Sequence, residues 1–320
     1  MHTITTGPWY VSWNYTYACN FNCSHCYSRA ESYPAELTTE EYGRIVDEYI
    51  AAKVFKVGLG GGEPLIRPDC IPIVTRMAAA GIDANITTNG WFVDDTVAGK
   101  LADAGLGRLY VSLDSPHEAL HDRFRNRVGS YKRVLRAVRA ATARRLKVYF
   151  STVVTALNVD DLPALVDLAR DLGVTGIEFK RFRPSGNGVV SRGHCELNAA
   201  QEAWLLAEVA RLKATEHALD IALIYGAEGG DGIDAGCPCG KKSICIRPNG
   251  DVSPCAYGET VIGNLMRQRL TDLWRDSPEL KLMRTSGGCA ALVEHAAPSN
   301  PYLVLSVAEL KAGACASPPA

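Results

Sequence analysis

The chain has 320 residues, is 47% apolar, and sets 34 Lys and Arg against 35 Asp and Glu for a net charge of −1. That profile excludes a disordered tail, a fibre or a mini-protein, and it gives no electrostatic footprint for a nucleic-acid backbone. No run nears the roughly 18 apolar residues of a membrane helix, and Met1 to Trp9 lacks a basic start followed by an apolar stretch, so the expected setting is cytoplasmic. Eleven cysteines are the anomaly, since a chain with its own core needs no staples and a cytoplasm keeps thiols reduced. Metal or redox chemistry is the better explanation for them.

Between residues 10 and 180 short β-rich apolar runs alternate with longer segments of helical period, which predicts a parallel sheet with crossover helices. Six strands are expected: Val11 to Tyr15, Val54 to Leu59, Ile82 to Thr87, Leu109 to Leu113, Val148 to Val154 and Gly176 to Phe179. After the first, Thr38 and Glu41 form a capping box, Leu37 and Tyr42 a staple, and Tyr42, Ile45, Val46, Tyr49 and Ile50 one apolar stripe. A later helix runs from about Val159 to Leu172, with Gly173 as its stop. Pro184 to Gly188 reads as a loop, Gln201 to Leu212 as a helix, and Gly226 to Gly236 as a glycine-rich boundary. Ser243 to Arg247 and Val252 to Cys255 read as two short strands joined by a turn, hosted by a small β module.

Eight cysteines fall in two groups: Cys19, Cys23 and Cys26, then Cys237, Cys239, Cys245, Cys255 and Cys289. Cys70, Cys195 and Cys315 are scattered, as small buried hydrophobes usually are. The first group is spaced C-x3-C-x2-C where the first strand ends. Such a loop can wrap three thiolates around one cubane and leave one iron open. Zinc with His25 as fourth ligand, or unpaired structural thiols, are the alternatives. The second strand ends in Gly60-Gly61-Gly62-Glu63-Pro64, the third in Thr87-Thr88-Asn89-Gly90, and the fourth in Ser112-Leu113-Asp114-Ser115. Each places polar groups at the mouth where barrel enzymes work.

Together these motifs resemble those of the radical S-adenosylmethionine (SAM) enzymes over about Val11 to Gly188. The resemblance rests on the cysteine loop with Tyr27 after it, Gly-Gly-Glu-Pro at 61 to 64, Thr-Asn-Gly at 88 to 90 and Ser-Leu-Asp at 112 to 114. It implies an α/β fold, a partial (β/α)6 barrel, followed by a small Cys-rich α+β domain of SPASM or twitch type. The implied division is 1–10 as extension, 11–215 as barrel and 216–320 as auxiliary domain. It also implies a [4Fe–4S] cluster on Cys19, Cys23 and Cys26 whose open iron chelates SAM, with Gly61, Gly62 and Glu63 receiving the methionyl ammonium. Asn89, Ser112 and Asp114 would face the ribose or methionyl end, and Arg125 would meet the carboxylate. Asn89 and Asp114 have the alternative of capping the next helix. A 5′-deoxyadenosyl radical then takes a hydrogen atom from substrate, with a flavodoxin or ferredoxin type protein as reductant.

Cys239-x5-Cys245-x9-Cys255, then Gly263-Asn264-Leu265 and Cys289, resembles the auxiliary-cluster domain of SPASM and twitch enzymes. The resemblance implies one auxiliary [4Fe–4S] cluster on Cys239, Cys245, Cys255 and Cys289, with Cys237 able to replace Cys239; four thiolates would serve a structural zinc equally well. The full SPASM pattern continues with closely spaced cysteines after the position of Cys289, whereas Ala290-Ala291-Leu292-Val293 follows here. Thr16 to Asn20, Val153 to Thr155 and Arg183 to Gly186 resemble maturases of the mycofactocin and heme-modifying type, while the shortened end is more like twitch enzymes of small molecules.

The expected function is hydrogen abstraction from a small specialised metabolite such as a sugar, nucleoside or aminocyclitol. Only ten residues precede the first strand, so no peptide-clasping domain is expected there, and that weighs against a peptide substrate. Maturation of a ribosomal peptide is the runner-up, and a non-catalytic iron–sulfur carrier the contrasting class. Lys180 and Arg183 are candidate substrate contacts at the end of the sixth strand; alternation says Lys180 and Arg181 cannot both point inward.

Overall fold

The computed structural model describes residues 5–28, 32–224, 238–258 and 260–285. All six expected strands form, each shifted by no more than about two residues at an end. They are β1 (Tyr10–Thr16), β2 (Lys56–Gly61), β3 (Asp83–Thr88), β4 (Arg108–Ser112), β5 (Val148–Val154) and β6 (Gly176–Arg181). Neighbours pair in parallel because a helix crosses back after each strand. The crossovers are α1 (Thr39–Ala51), α2 (Cys70–Ala79), α3 (Asp95–Asp103), the pair α4 (Glu118–Arg125) and α5 (Ser130–Ala143), and α6 (Leu162–Asp171). The capping box of α1 is present as expected, and four members of its stripe are buried; Ile50 is the exposed exception.

Three differences from the sequence expectation matter. Pro184 to Gly188 does not stay a loop: it turns at Gly186 into α7 (Asn187–Cys195), a helix with no strong apolar period to announce it. After α8 (Ala199–Thr215) comes β7 (Asp220–Ile224), a seventh strand parallel to β6. The third difference lies in β8 (Ser243–Ile246), β9 (Asp251–Ser253) and β10 (Gly263–Asn264). They do not stand apart as a β module but continue one ten-stranded sheet in the order β10-β9-β8-β1-β2-β3-β4-β5-β6-β7. β8 pairs with β1 in parallel, Ser12 opposite Cys245, and so takes up backbone groups that β1 would otherwise leave unpaired at an edge. The helices α9 (Leu270–Asp276) and α10 (Pro278–Thr285) close this end, with Trp274 buried.

Alternation along the strands separates two faces. Val11, Trp13 and Tyr15 point outward onto α1, and the Trp13 ring meets Tyr42 and Tyr49 edge-on at 5.0 and 5.3 Å. The opposite face is polar: Tyr10, Ser12 and Asn14 on β1, Tyr110 and Ser112 on β4, Ser151 on β5, Glu178 and Lys180 on β6. Tyr10 lies near enough to Glu178 for their charges to interact although four strands separate them, so this face is the concave one. A hydrophobic shell outside and a polar lining within direct any chemistry to the lumen and its mouth at the strands' C-terminal ends.

Candidate functional site

The cysteine loop leaves β1 at Thr16 and is held before it reaches Cys19. Glu36 accepts hydrogen bonds from Thr16 Oγ1 (2.8 Å) and the Tyr17 amide (2.6 Å). Arg67 pairs with that carboxylate at 2.9 Å and forks onto Asp69 at 3.0 and 2.6 Å. Asp69 also accepts from Tyr15 and Thr39, so six side chains from four segments pin one strand end. The sequence reading missed Glu36, Arg67 and Asp69, since nothing in their spacing says that they meet.

Cys23 is buried while Cys19 and Cys26 are half-buried, and together they line a narrow cavity with Gly61 and Gly62. Burial pushes the Cys23 thiol up to about 11, partly opposed by Arg125. Among the described residues no three His, Cys, Asp or Glu side chains converge tightly enough to share a single ion. A cubane asks for something else, one thiolate at each of three separate corners, and this loop fits that demand. The Phe21 amide donates to Cys19 Sγ at 3.4 Å, a contact of the kind that draws charge from a sulfur. His25, the alternative zinc ligand, is buried, and its Nε2 lies 3.8 Å from Asp114.

The glycine run fits against this loop by contact. The Gly62 amide donates to Thr16 O at 2.7 Å and the Glu63 amide to Ala18 O at 2.9 Å, so these donors are used within the chain rather than offered outward. A Cβ on Gly62 would stand 2.1 Å from Ala18 O, and Gly61 adopts φ +91°, which explains why both are glycine. Glu63 is buried; its Oε1 accepts from Thr88 (2.8 Å) and the Leu65 amide (3.2 Å), its Oε2 from the Asn89 amide (2.7 Å). Burial raises its pKa to about 7 against those three donors. Oε2 has taken one donor, and a carboxylate oxygen can take two, so acceptor capacity remains there for a cation. Asn89 spends its side chain on Asn20 Oδ1 (2.8 Å) and the Trp91 amide (2.9 Å), tying the third strand's end to the cysteine loop.

Asp114 does not cap a helix. It is fully buried and binds Arg125 through Nε (2.7 Å) and Nη2 (3.1 Å). Burial pushes its carboxyl up, but Arg125, His25 and His121 outweigh that and hold it below the usual carboxylate range. The remaining Arg125 nitrogen, Nη1, points at Cys23 Sγ, 4.0 Å away. Arg125 thus meets a cysteine ligand candidate and a carboxylate of its own chain. Backbone from the same helix completes the join, because Phe124 O accepts from the Ser24 amide (3.1 Å) and hydroxyl (3.3 Å).

Across the mouth, Lys180 turns into the lumen, 2.9 Å from Ser151 Oγ and 3.3 Å from Glu178, with Nζ over the Tyr110 ring. Arg181 turns outward to Glu202 on α8, as alternation requires. Ser112 ends β4 opposite Ser151, on the same inner face. Tyr27 donates to Asn14 Oδ1 at 3.2 Å and packs on Tyr257 at 5.0 Å, and Arg183 lies over that second ring at 5.6 Å. Tyr257 follows Cys255, and its amide donates to Cys255 Sγ at 3.4 Å. Cys239, Cys245 and Cys255 gather beside β1, with Cys245 buried on the inner face and its thiol pushed up to about 12 by burial. Cys237, Cys289 and Cys315 lie outside the described residues. Two cysteine groups therefore flank one polar lumen, with Tyr27, Tyr257 and Arg183 between them.

Comparison with known proteins agrees with this layout. The family model of the radical SAM superfamily matches residues 13–169, and that of an iron–sulfur cluster-binding domain, SPASM, matches 237–295. The mycofactocin maturase MftC of Mycobacterium ulcerans is 31% identical over 297 residues, covering 89% of this chain and 80% of that protein. The AdoMet-dependent heme synthase of Methanosarcina barkeri is 28% identical over 305 residues, covering 89% and 87%. Among solved structures, Streptococcus suis SuiB bound to the precursor peptide SuiA shares the fold with a TM-score of 0.76 at 18% identity, covering 92% of this chain and 75% of that one. No described helix is long and apolar enough to cross a membrane. The chain belongs to the radical SAM superfamily and carries a SPASM iron–sulfur domain, so it is an enzyme of a [4Fe–4S] cluster, SAM and an auxiliary cluster.

Proposed function

We propose that this radical SAM enzyme matures a ribosomally made peptide, working in a reducing cytoplasm where cluster thiols survive. The observation that carries the chemistry is the convergence of Cys19, Cys23 and Cys26 with Gly61, Gly62 and Glu63 at the mouth of a polar lumen. The peptide reading draws on the maturase at 31% identity and on structures of the same fold obtained with peptides, SuiB with SuiA and anSMEcpe with Cp18Cys. It displaces the sugar-like metabolite expected from the sequence. A small molecule bearing carboxylates is the second reading, favoured by the heme synthase relative and by Lys180 inside the lumen.

In this reading Cys19, Cys23 and Cys26 ligate the SAM-binding cluster, and Cys239, Cys245, Cys255 and Cys289 the auxiliary one. When bound, cluster and SAM supply a one-electron C–S cleavage whose carbon-centred product takes a hydrogen atom from substrate. Glycine at 61 and 62 lets backbone approach closely, and ionised Glu63 accepts an ammonium at Oε2. Asn89 holds the loop through Asn20, Ser112 and Lys180 line the substrate side, and Phe21 and Trp91 exclude water. The segment through Thr215 carries the SAM chemistry and that from Glu216 onward the auxiliary cluster, a division of labour within one continuous sheet.

The test is anaerobic turnover of reconstituted protein with SAM, reductant and a cognate precursor peptide deuterated at candidate carbons. Label appearing in 5′-deoxyadenosine supports the peptide reading. Label transfer only from a carboxylated small molecule would select the second reading, and no 5′-deoxyadenosine from fully loaded protein would make it a carrier.

A further inference from the structure

Over the whole chain the charges nearly cancel, yet between Arg123 and Lys147 there are ten Lys or Arg and no Asp or Glu. Lys132, Arg136 and Arg139 recur at helical spacing on one exposed face of α5, and Arg123 and Arg127 stand exposed where α4 ends. Acidic neighbours reach only part of this face: Glu118 pairs with Lys132 and Asp94 with Arg136. Among the described residues Arg127 and Arg133 have no ion pair and lie instead over the Trp91 ring at 4.6 and 4.8 Å. Val128 sits in their midst, 91% exposed, an apolar tip ringed by cations.

This face adjoins the cysteine loop. Trp91 meets Phe21 edge-on at 5.7 Å, the Phe21 amide touches Cys19 Sγ, and Phe124 O holds Ser24. A route of packed groups thus runs from the cationic surface to the thiols without entering the lumen, where Lys180 and Ser112 face substrate.

We propose that the α4–α5 face, centred on Arg127, Val128, Arg133 and Arg136, is the docking surface for an acidic, low-potential protein electron carrier of flavodoxin or ferredoxin type. The inference rests on the N-terminal cluster lying at Cys19, Cys23 and Cys26. One electron leaves the carrier's reduced centre and reduces that cluster by one; no bond forms or breaks. Charge complementarity steers the encounter, so it acts on the association rate and weakens with salt.

The test measures reduction of the N-terminal cluster in the reconstituted holoenzyme by stopped flow, with flavodoxin hydroquinone and separately with dithionite. In Arg127→Glu/Arg136→Glu/Arg139→Glu the flavodoxin rate at low salt should fall at least about tenfold while the dithionite rate stays within about twofold. Arg211→Glu/Arg275→Glu/Lys281→Glu makes the same charge change elsewhere and should leave both rates alone. In the wild type, raising ionic strength should slow flavodoxin and not dithionite, a readout that needs no variant to fold. Equal flavodoxin rates in wild type and the first variant, or equal slowing in the second, would overturn the proposal. So would loss of precursor-peptide binding with an unchanged flavodoxin rate, which would give the face to an acidic peptide. A wild-type cluster that dithionite cannot reduce would instead overturn the site reading, and the docking inference with it.

Discussion

With Cys23 a cluster ligand, as proposed, Arg125 stands between two charges of like sign, the Asp114 carboxylate and the Cys23 thiolate. A cation beside a thiolate ligand favours the reduced, more negative cluster, so its loss makes reduction harder. Arg125→Gln should lower the cluster's midpoint potential by roughly 60–130 mV, the equivalent of a charge-assisted hydrogen bond of about 1.5–3 kcal/mol. Asp114→Asn leaves the cation unneutralised and should shift the potential upward. Redox titration monitored by electron paramagnetic resonance reads both, and shifts of the same sign would refute the arrangement. Glu63 makes a pH prediction. Its carboxyl, normally ionising near 4.5, is held neutral by burial to about 7, so without SAM the ionised form costs stability. The apoprotein's stability is full below about pH 4.5 on this account and falls as pH rises to about 7, by about 3 kcal/mol at most. An ammonium partner reverses the preference, so SAM binding by the reconstituted enzyme should strengthen between pH 6 and 8. Glu63→Gln should bind more weakly and flatten both profiles, in titration calorimetry and in thermal melts.

α7 owes its importance to what its N-terminus touches. The Asn187 amide donates to Cys26 O at 2.9 Å, its side chain to Asn22 Oδ1 and Cys23 O at 2.9 and 3.0 Å, and Ser191 donates to Ser24 O at 2.7 Å. The helix clasps the backbone of the cysteine loop, so its loss should act on cluster retention before it acts on the barrel. Asn187→Ala/Ser191→Ala removes three of these bonds, each worth about 1 kcal/mol. The expected result is faster iron release to a chelator at a melting temperature lowered by only a few degrees; unchanged release would show that the loop holds itself. None of this was legible in the sequence. Asn187 read as a member of a polar loop and Ser191 drew no reading at all, since a partner some 160 residues away leaves no local trace. The first helix is the opposite case: Thr38, Glu41 and the stripe from Tyr42 to Tyr49 announce it, because its cap and its buried face are set by neighbours three and four residues apart.

At the scale of the whole molecule the sheet runs without a break from barrel to auxiliary segment. β8 covers the open side of β1, and Ile244 and Ile246 are buried there with Val11 and Trp13. A chain ending at Ile224 would expose that edge together with its apolar neighbours. It should aggregate rather than yield a four-iron barrel, as size-exclusion chromatography and iron assay would show. If it stays monomeric with about four irons, β8 is dispensable to the barrel. The sequence by itself determined the alternation of strand and helix, the capped first helix, the three-cysteine loop and the glycines at 61 and 62. These depend on periodicity, on short spacings and on residue types that few other positions need. Only the tertiary structure decided that Glu36, Arg67 and Asp69 anchor the loop, that Arg125 faces both Asp114 and Cys23, that Lys180 and not Arg181 enters the lumen, and that β8 joins β1. Each of those is a meeting between segments far apart in the chain, and which buried charge finds which partner is settled by packing that no local pattern encodes.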